Sequence, residues 1–178
     1  GEAALLEPLS ATLGRIYEAY FPVVWRTLRR LGLSETQAED GAQDVFLVVH
    51  RRLGDFEGRS TMSTWLIGIA LRVAQQHRRK GARSSLEEPS VFERLPSAGR
   101  GPEADVDAVR ARETLYRLLG ELKEPLRDAF VLLELEELSG REAAELLGIS
   151  ENTVYSRLRL ARERLRTALR AEQRKETG

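Results

Sequence analysis

The chain has 178 residues, no net formal charge and no cysteine; 42% of its residues are hydrophobic, 31% are charged and only 6% are aromatic. This length accommodates one ordinary domain or two small ones, and the absence of cysteine excludes a disulfide scaffold and thiolate metal sites. Apolar runs stay well short of the roughly 20 residues that span a bilayer, and there is no signal-peptide pattern. We therefore expect a cytoplasmic protein without a membrane span.

Three helices are predicted in the first 80 residues. Apolar residues recur at three- to four-residue spacing over about 13–31, which predicts the first helix. Ser34 and Gln37 form a capping-box pattern at the start of a second helix over 34–53. A polar loop then leads to a third amphipathic helix, which ends in the basic cluster 77–80.

The composition changes after this cluster. Residues 81–104 are rich in glycine, proline and serine and show no sustained periodicity, which predicts a flexible linker. It would join a domain at 1–80 to a second domain at 105–178. No strand-like alternation is present, so the predicted fold class is all-α. Four helices are predicted in the second domain, over about 105–119, 125–138, 139–147 and 150–170.

The last two predicted helices have the pattern of a helix-turn-helix. Ala144 is small enough for a close helix crossing, Gly148 permits the turn, and Val154 and Leu158 would pack the second helix onto the first. Charge supports a DNA partner for that second helix: residues 113–151 contain 4 basic and 10 acidic side chains, whereas 152–178 contain 8 basic and 3 acidic ones. A helical hairpin with a solvated basic face is the alternative.

These motifs, in this order, resemble the extracytoplasmic-function branch of the bacterial sigma-70 family. The resemblance implies two small helical domains: a three-helix sigma domain 2 at 1–80 and a four-helix sigma domain 4 with a helix-turn-helix at 105–178. It covers nearly the whole chain apart from the linker and the ends. The stretches that carry it are 37–46, 56–60, 64–70, 146–150, 153–154, 156–158 and 161–162.

The resemblance also implies roles for individual residues. The second helix would bind the clamp helices of core RNA polymerase through Glu39, Asp40, Gln43, Asp44 and Leu47. The first domain would melt the −10 promoter element and hold its strand through Phe56, Arg59, Ser60, Thr61, Arg72, Gln75, Gln76, Arg79 and Lys80. The last helix would read the −35 element through Asn152, Thr153, Tyr155, Ser156, Arg157, Arg159 and Arg162. Trp65 shares a helical stripe with Ile69, which favours a core role over base stacking.

Sigma factors of this branch are commonly held inactive by an anti-sigma protein, so the resemblance implies such a partner as well. Two other functions stay open: a stand-alone DNA-binding regulator, and a helical adaptor that binds only protein. An enzyme is the least favoured class, because His50 and His77 lie on separate helices and there is no phosphate-binding glycine loop or nucleophile motif. We expect no catalytic residue, cofactor or metal, and we expect the carboxylates of Glu134, Glu136 and Glu137 to be solvated.

Overall fold

A computed structural model describes residues 2–84 and 105–178 of the chain, with side chains described from residue 11 onward. Within these ranges it is helical without strands, which confirms the predicted all-α class. The helices are α1 (Glu2–Arg30), α2 (Glu35–Arg52), α3 (Met62–Ser84), α4 (Val106–Glu121), α5 (Glu124–Phe130), α6 (Gly140–Leu147) and α7 (Glu151–Thr177).

The first module consists of α1, α2 and α3 packed around a shared apolar core. Leu28, Val45 and Leu71, one from each helix, are almost completely buried. Ala38 and Ala42 are also fully buried, and such small side chains let α2 approach its neighbours closely. The predicted three-helix domain is confirmed, although α1 begins at Glu2 rather than near residue 13.

The helix starts follow the capping signals of the sequence. The Ser34 hydroxyl accepts a hydrogen bond from the Gln37 N–H at 3.2 Å, and the Gln37 side chain accepts one from the Ser34 N–H at 3.0 Å. The same reciprocal pair joins Ser139 and Glu142 at the start of α6. These bonds satisfy helix N–H groups that have no partner in the first turn.

Helix α3 continues to Ser84 and so includes the first four residues of the predicted linker, 81–84. The remainder of the predicted linker, 85–104, lies outside the described residues. At the other end of α7, the helix runs to Thr177 instead of ending near residue 170.

The second module has the four predicted helices, but the second of them is not uniform. Pro125 lies in its first turn, as predicted, and the α-helix ends at Phe130. A π-helical turn, Val131–Leu135, follows it. Glu137 then adopts a φ of +56°, a conformation that residues other than glycine adopt rarely. The single helix predicted over 125–138 was therefore wrong in its second half, because hydrophobic periodicity does not distinguish α from π turns.

The two modules pack against each other in one continuous apolar core. Glu136, expected to be solvated, is buried at this contact: its side chain is 5% exposed and accepts hydrogen bonds from Thr27 and Arg30 of α1 at 2.8 and 3.1 Å. The expectation failed because sequence periodicity within one module carries no information about the surface of the other.

A pair of glycine substitutions tests the helix-turn-helix turn. Gly148 has a φ of +67° and Gly120 lies inside α4, and a Cβ at either position would meet nothing within 4 Å. Gly148→Ala is expected to lower the free energy of unfolding by about 1 kcal/mol, because an L residue is strained in the left-handed region. Gly120→Ala should raise it by roughly 0.5–1 kcal/mol through helix propensity. Urea denaturation of both variants measures the free energy of unfolding. Equal changes in this free energy for the two variants would contradict a strained turn at Gly148.

Candidate nucleic-acid and polymerase interfaces

The helix-turn-helix presents one face of α7 to solvent. Val154 and Leu158 are buried against the preceding helices, as predicted, and Ala161 is buried beside them. The side of α7 opposite these residues carries Asn152 and Ser156, both exposed. Arg159 extends the same stripe by one turn, following the three- to four-residue spacing of a helix face. The described structure leaves these side chains free of internal partners at the N-terminal end of α7. In helix-turn-helix proteins of known binding mode, this end of the second helix is the part that contacts base edges in the major groove.

The other predicted −35 residues lie beside this stripe. Thr153 and Arg157 are half-buried on one flank, and Thr153 also bonds the capping residue Ser150 at 2.9 Å between the hydroxyls. Tyr155 is exposed on the opposite flank, with its ring against the backbone of Gly140 at the start of α6. Arg162 is paired with Glu134 rather than free. The structure thus separates a central exposed stripe, Asn152, Ser156 and Arg159, from flanking residues, whereas the prediction grouped them all as one set.

A small aromatic cavity lies in the loop between α2 and α3. It has a volume of about 180 Å³ and is lined by Asp55, Phe56, Glu57, Arg59, Ser60 and Trp65. The rings of Phe56 and Trp65 are 5.1 Å apart with their planes tilted by 44°. Arg59 is paired with Glu57 at 2.8 Å at its exposed rim. An apolar floor with a charged rim can hold an unstacked base.

Trp65 is therefore more than a core residue. It packs against the apolar core and is half-buried, as its spacing with Ile69 predicted. Its exposed part, however, forms one wall of the cavity with Phe56. The sequence signal for this second role was the position of the ring in the first turn of α3, directly after the loop.

Two helical turns beyond this cavity, the outer face of α3 carries a polar and basic stripe. Thr61, an exposed predicted residue, caps α3 by accepting a hydrogen bond from the Thr64 N–H at 3.1 Å. Arg72 and Gln76 are exposed along the helix, and Gln75 beside them is half-buried. The stripe ends at the two exposed basic residues of the cluster, Arg79 and Lys80. The predicted −10 residues therefore lie in two exposed groups, one at the loop and one on the second half of α3, separated in this structure by residues 66–71, which are buried.

A third surface lies on α2, where most of the predicted polymerase residues are exposed. Glu39, Asp40 and Gln43 are solvent-exposed, and Leu47 is 62% exposed one turn further on. Asp44 differs, because its carboxylate is 2.7 Å from the Nε2 of His77 in α3. That pair joins α2 to α3, so Asp44 also has a role inside the module, which the sequence analysis did not predict for either residue.

An aromatic cluster borders this acidic surface and was missed by the sequence analysis. Tyr17 and Phe21 of α1 have ring centroids 5.2 Å apart, and Tyr17 meets Phe46 of α2 at 4.9 Å in an edge-to-face arrangement. Tyr17 is nevertheless 44% exposed. The i, i+4 spacing of Tyr17 and Phe21 was the available signal. The acidic surface thus lies next to exposed apolar area, a combination typical of protein interfaces.

No group of three or more potential metal ligands occurs within the described ranges. None of the described helices is long and apolar enough to cross a membrane. The described part of the chain offers three solvent-facing surfaces: the exposed stripe of α7, the aromatic cavity with the basic stripe of α3, and the acidic surface of α2.

Two regions of the chain match known protein families. Sigma-70 region 2 matches residues 16–84, and sigma-70 region 4 matches residues 112–165. The chain belongs to the sigma-70 family, in its extracytoplasmic-function branch. It is a sigma factor of promoter-specific transcription initiation by RNA polymerase. Sigma factors are initiation factors, not catalysts.

Named relatives agree with this assignment. The chain is 33% identical to the RNA polymerase sigma-H factor of Pseudomonas aeruginosa over 75% of this chain and 73% of the relative. It is also 33% identical to the ECF RNA polymerase sigma-E factor of Escherichia coli, over 70% of this chain and 69% of that one. In fold it resembles the sigma factor RpoE of Bartonella quintana, solved in complex with the anti-sigma factor NepR: the TM-score is 0.70, with 23% identity over 88% of this chain and 96% of that chain.

Proposed function

We propose that the two modules of this sigma factor divide promoter recognition between them. Domain 105–178 reads the −35 duplex with the stripe Asn152, Ser156 and Arg159. Domain 1–80 traps a base of the −10 element in the cavity of Phe56 and Trp65. The remainder of the single strand then follows the basic stripe of α3.

The observation that carries this proposal is the pairing of two different reading surfaces in one chain. A polar helix face with a buried opposite side suits the base edges of a major groove, where Asn and Arg pair with adenine and guanine. An aromatic cavity beside a basic stripe suits unstacked bases and phosphates instead. Duplex reading and strand capture are both needed to open a promoter, and trapping of flipped bases requires no nucleotide hydrolysis.

Core RNA polymerase would bind the acidic surface of α2. Its exposed carboxylates, Glu39 and Asp40, give it negative charge, and Leu47 and Tyr17 give it apolar area. A basic partner surface with an apolar centre would complement both features. Because the Bartonella quintana relative was solved with an anti-sigma factor, we also propose an anti-sigma partner for this chain. We further propose a cytoplasmic location and no enzymatic activity of its own.

The deciding experiment combines the protein with sigma-free core RNA polymerase and measures co-elution and promoter-dependent transcription. A one-to-one complex that initiates at selected promoters supports the proposal. A stand-alone DNA-binding regulator would bind promoter duplex without forming that complex. A protein-only adaptor would bind no DNA, and so would show none of the strong salt dependence that phosphate contacts cause.

Arg159→Ala tests the reading stripe. We expect promoter binding to weaken by about 1–3 kcal/mol and the sequence preference at one position to relax, if the guanidinium contacts a base. Arg170→Ala is the matched control, since Arg170 is exposed on the same side of α7 but about 16 Å further along the helix. Binding is measured against a library of −35 variants. An unchanged preference for the Arg159 variant, or equal losses for both variants, would remove Arg159 from the reading stripe.

A further inference from the structure

An ion pair connects the acidic and the basic parts of the second module. The guanidinium of Arg162, in α7, donates a hydrogen bond to the carboxylate of Glu134, which lies in the acidic run 113–151. Within the described residues, Arg162 is the only member of the predicted −35 set that is paired with a carboxylate. Arg159, one turn earlier, is exposed without such a partner. The two arginines therefore differ in the charge that they can offer to a phosphate.

The backbone around Glu134 departs from a regular helix. Glu134 lies in the π-helical turn Val131–Leu135, and Glu137 follows with its φ of +56°. A hydrogen bond of 2.9 Å from the Leu138 N–H to the Leu132 carbonyl closes this segment. π turns inside helices occur frequently at functional sites, and rare backbone conformations persist where the surrounding structure holds them. A constrained segment thus presents Glu134 to α7.

The same segment covers one flank of α7. Tyr155 and Arg162 are seven residues apart, so they lie on one side of the helix. The Tyr155 ring packs against the backbone of Gly140, where an added Cβ would overlap its hydroxyl group, and Arg162 pairs with Glu134. The segment 134–140 therefore holds both side chains on this flank, beside the exposed stripe of α7.

Distance along α7 determines which part of a duplex each side chain can meet. At 1.5 Å per residue, Arg159 lies about 10 Å beyond Asn152, and Arg162 lies about 15 Å beyond it. A major groove is about 12 Å wide. With Asn152 in the groove, Arg159 stays inside it, whereas Arg162 reaches its wall, where the phosphates lie. A free arginine at that place would add affinity without sequence information.

The pair of Arg162 with Glu134 contributes little to the fold. The two side chains are 47% and 33% exposed, and ion pairs at such positions add little stability. Their effect on duplex binding is larger, because each phosphate that a protein neutralises steepens the salt dependence of the logarithm of the affinity by about 0.9. Glu134 occupies the guanidinium that would make such a contact. The pair therefore bears on DNA affinity more than on stability.

We propose that Glu134 is a positioning residue of the −35 interface: it holds Arg162 away from the DNA phosphates and thereby removes one sequence-independent contact from duplex binding. This inference rests on the proposed reading of the −35 element by the exposed stripe of α7. With Arg162 neutralised, the affinity of α7 for a duplex depends more on the base contacts of that stripe. Glu134 thus sets the strength of binding, whereas the stripe sets its sequence preference.

Glu134→Gln tests this role in the full chain. Fluorescence anisotropy measures the affinity for two duplexes, one with the −35 element of a selected promoter and one with the same bases in scrambled order, from about 50 to 200 mM salt. Release of Arg162 should raise the affinity for both duplexes at least about threefold at the lowest salt, and should steepen the slope of log affinity against log salt by about 0.9. The ratio of the two affinities should stay the same.

Glu137→Gln is the matched control. It removes the same charge from the same segment, and within the described residues the exposed Glu137 has no ion pair. It should therefore leave the salt slope at the parent value. Equal slopes for the two variants would show that the general charge of the segment determines the affinity, and would overturn the proposal. Urea denaturation verifies that each variant is folded.

A double substitution tests whether Glu134 acts through Arg162. In the parent chain, Arg162→Gln should change duplex affinity less than about twofold, because the guanidinium is already neutralised by an exposed carboxylate. In the Glu134→Gln background, the same change should remove the whole gain and restore the parent slope. A large loss from Arg162→Gln in the parent chain would show that Arg162 contacts a phosphate in spite of Glu134, and would overturn the proposal.

The outcomes separate this role from the proposed function. An equal gain on both duplexes from Glu134→Gln supports the proposal. Absence of any gain overturns it, and so does a loss of affinity, which would mean that Glu134 directs Arg162 towards a phosphate. Equal affinity of the parent chain for the two duplexes, with the gain still present in the variant, would instead count against the proposed reading of the −35 element by α7.

Discussion

Reversal of both carboxylates on α2, Glu39→Arg with Asp40→Arg, is expected to lower the affinity for core RNA polymerase by at least about 100-fold. Like charges brought together at an interface cost several kcal/mol. Both side chains are exposed, so the double variant should fold normally. The measurement is titration of labelled core polymerase with the parent and the variant protein, accompanied by circular dichroism to verify folding.

The choice of residues matters for this experiment. Asp44 lies on the same surface, but its carboxylate pairs with His77, so a change there would disturb the α2–α3 contact as well as the interface. Glu163→Arg with Glu176→Arg is the matched control, because it makes the same change in net charge at exposed positions of α7. A loss of affinity confined to the α2 variant would assign the acidic surface of α2 to the polymerase interface. Equal affinity of both variants for polymerase would exclude Glu39 and Asp40 from the interface.

Local features of this fold were predictable because they depend on neighbours in sequence. The capping boxes at Ser34 and Ser139 and the left-handed glycine at Gly148 each follow from residue types within one helical turn. The same is true of the outward stripe of α7, whose register is fixed by the buried residues Val154 and Leu158. The family resemblance added the roles of these surfaces, which periodicity alone does not contain.

Features that depend on the other module were not predictable. Glu136 belongs to an acidic run, a pattern that predicts solvated carboxylates. In the structure its side chain is buried, after the π turn 131–135, and pairs with Arg30. Arg78 belongs to the same basic cluster as Arg79 and Lys80, but it pairs with Asp128, fifty residues away, while the other two are exposed. Residues adjacent in sequence thus divide between a DNA-facing surface and a contact between modules, and their charge does not distinguish the two.

Replacement of Phe56 is expected to impair capture of the −10 strand by about 10- to 100-fold, since stacking of a base on an aromatic side chain contributes roughly 1–3 kcal/mol. Phe56→Ala removes the ring that forms the cavity with Trp65. Phe56→Leu keeps an apolar side chain against Trp65 but cannot stack. If stacking is the reason for the loss, both variants should bind the strand equally poorly. Phe56→Leu should nevertheless unfold at nearly the same denaturant concentration as the parent protein.

Holoenzyme assembled with each variant can be tested with a fluorescent single strand that carries the −10 sequence and with a promoter already melted over that element. Loss on both substrates assigns Phe56 to capture of the unstacked base, because neither substrate requires the duplex to be opened. The chain has two tryptophans, so in the protein without polymerase Trp25→Phe leaves Trp65 as its single tryptophan, whose fluorescence should be quenched when the strand binds. Normal strand affinity of both Phe56 variants, with Trp65 unquenched, would show that the cavity is not where the base is held, and the basic stripe of α3 would then have to hold the strand without it.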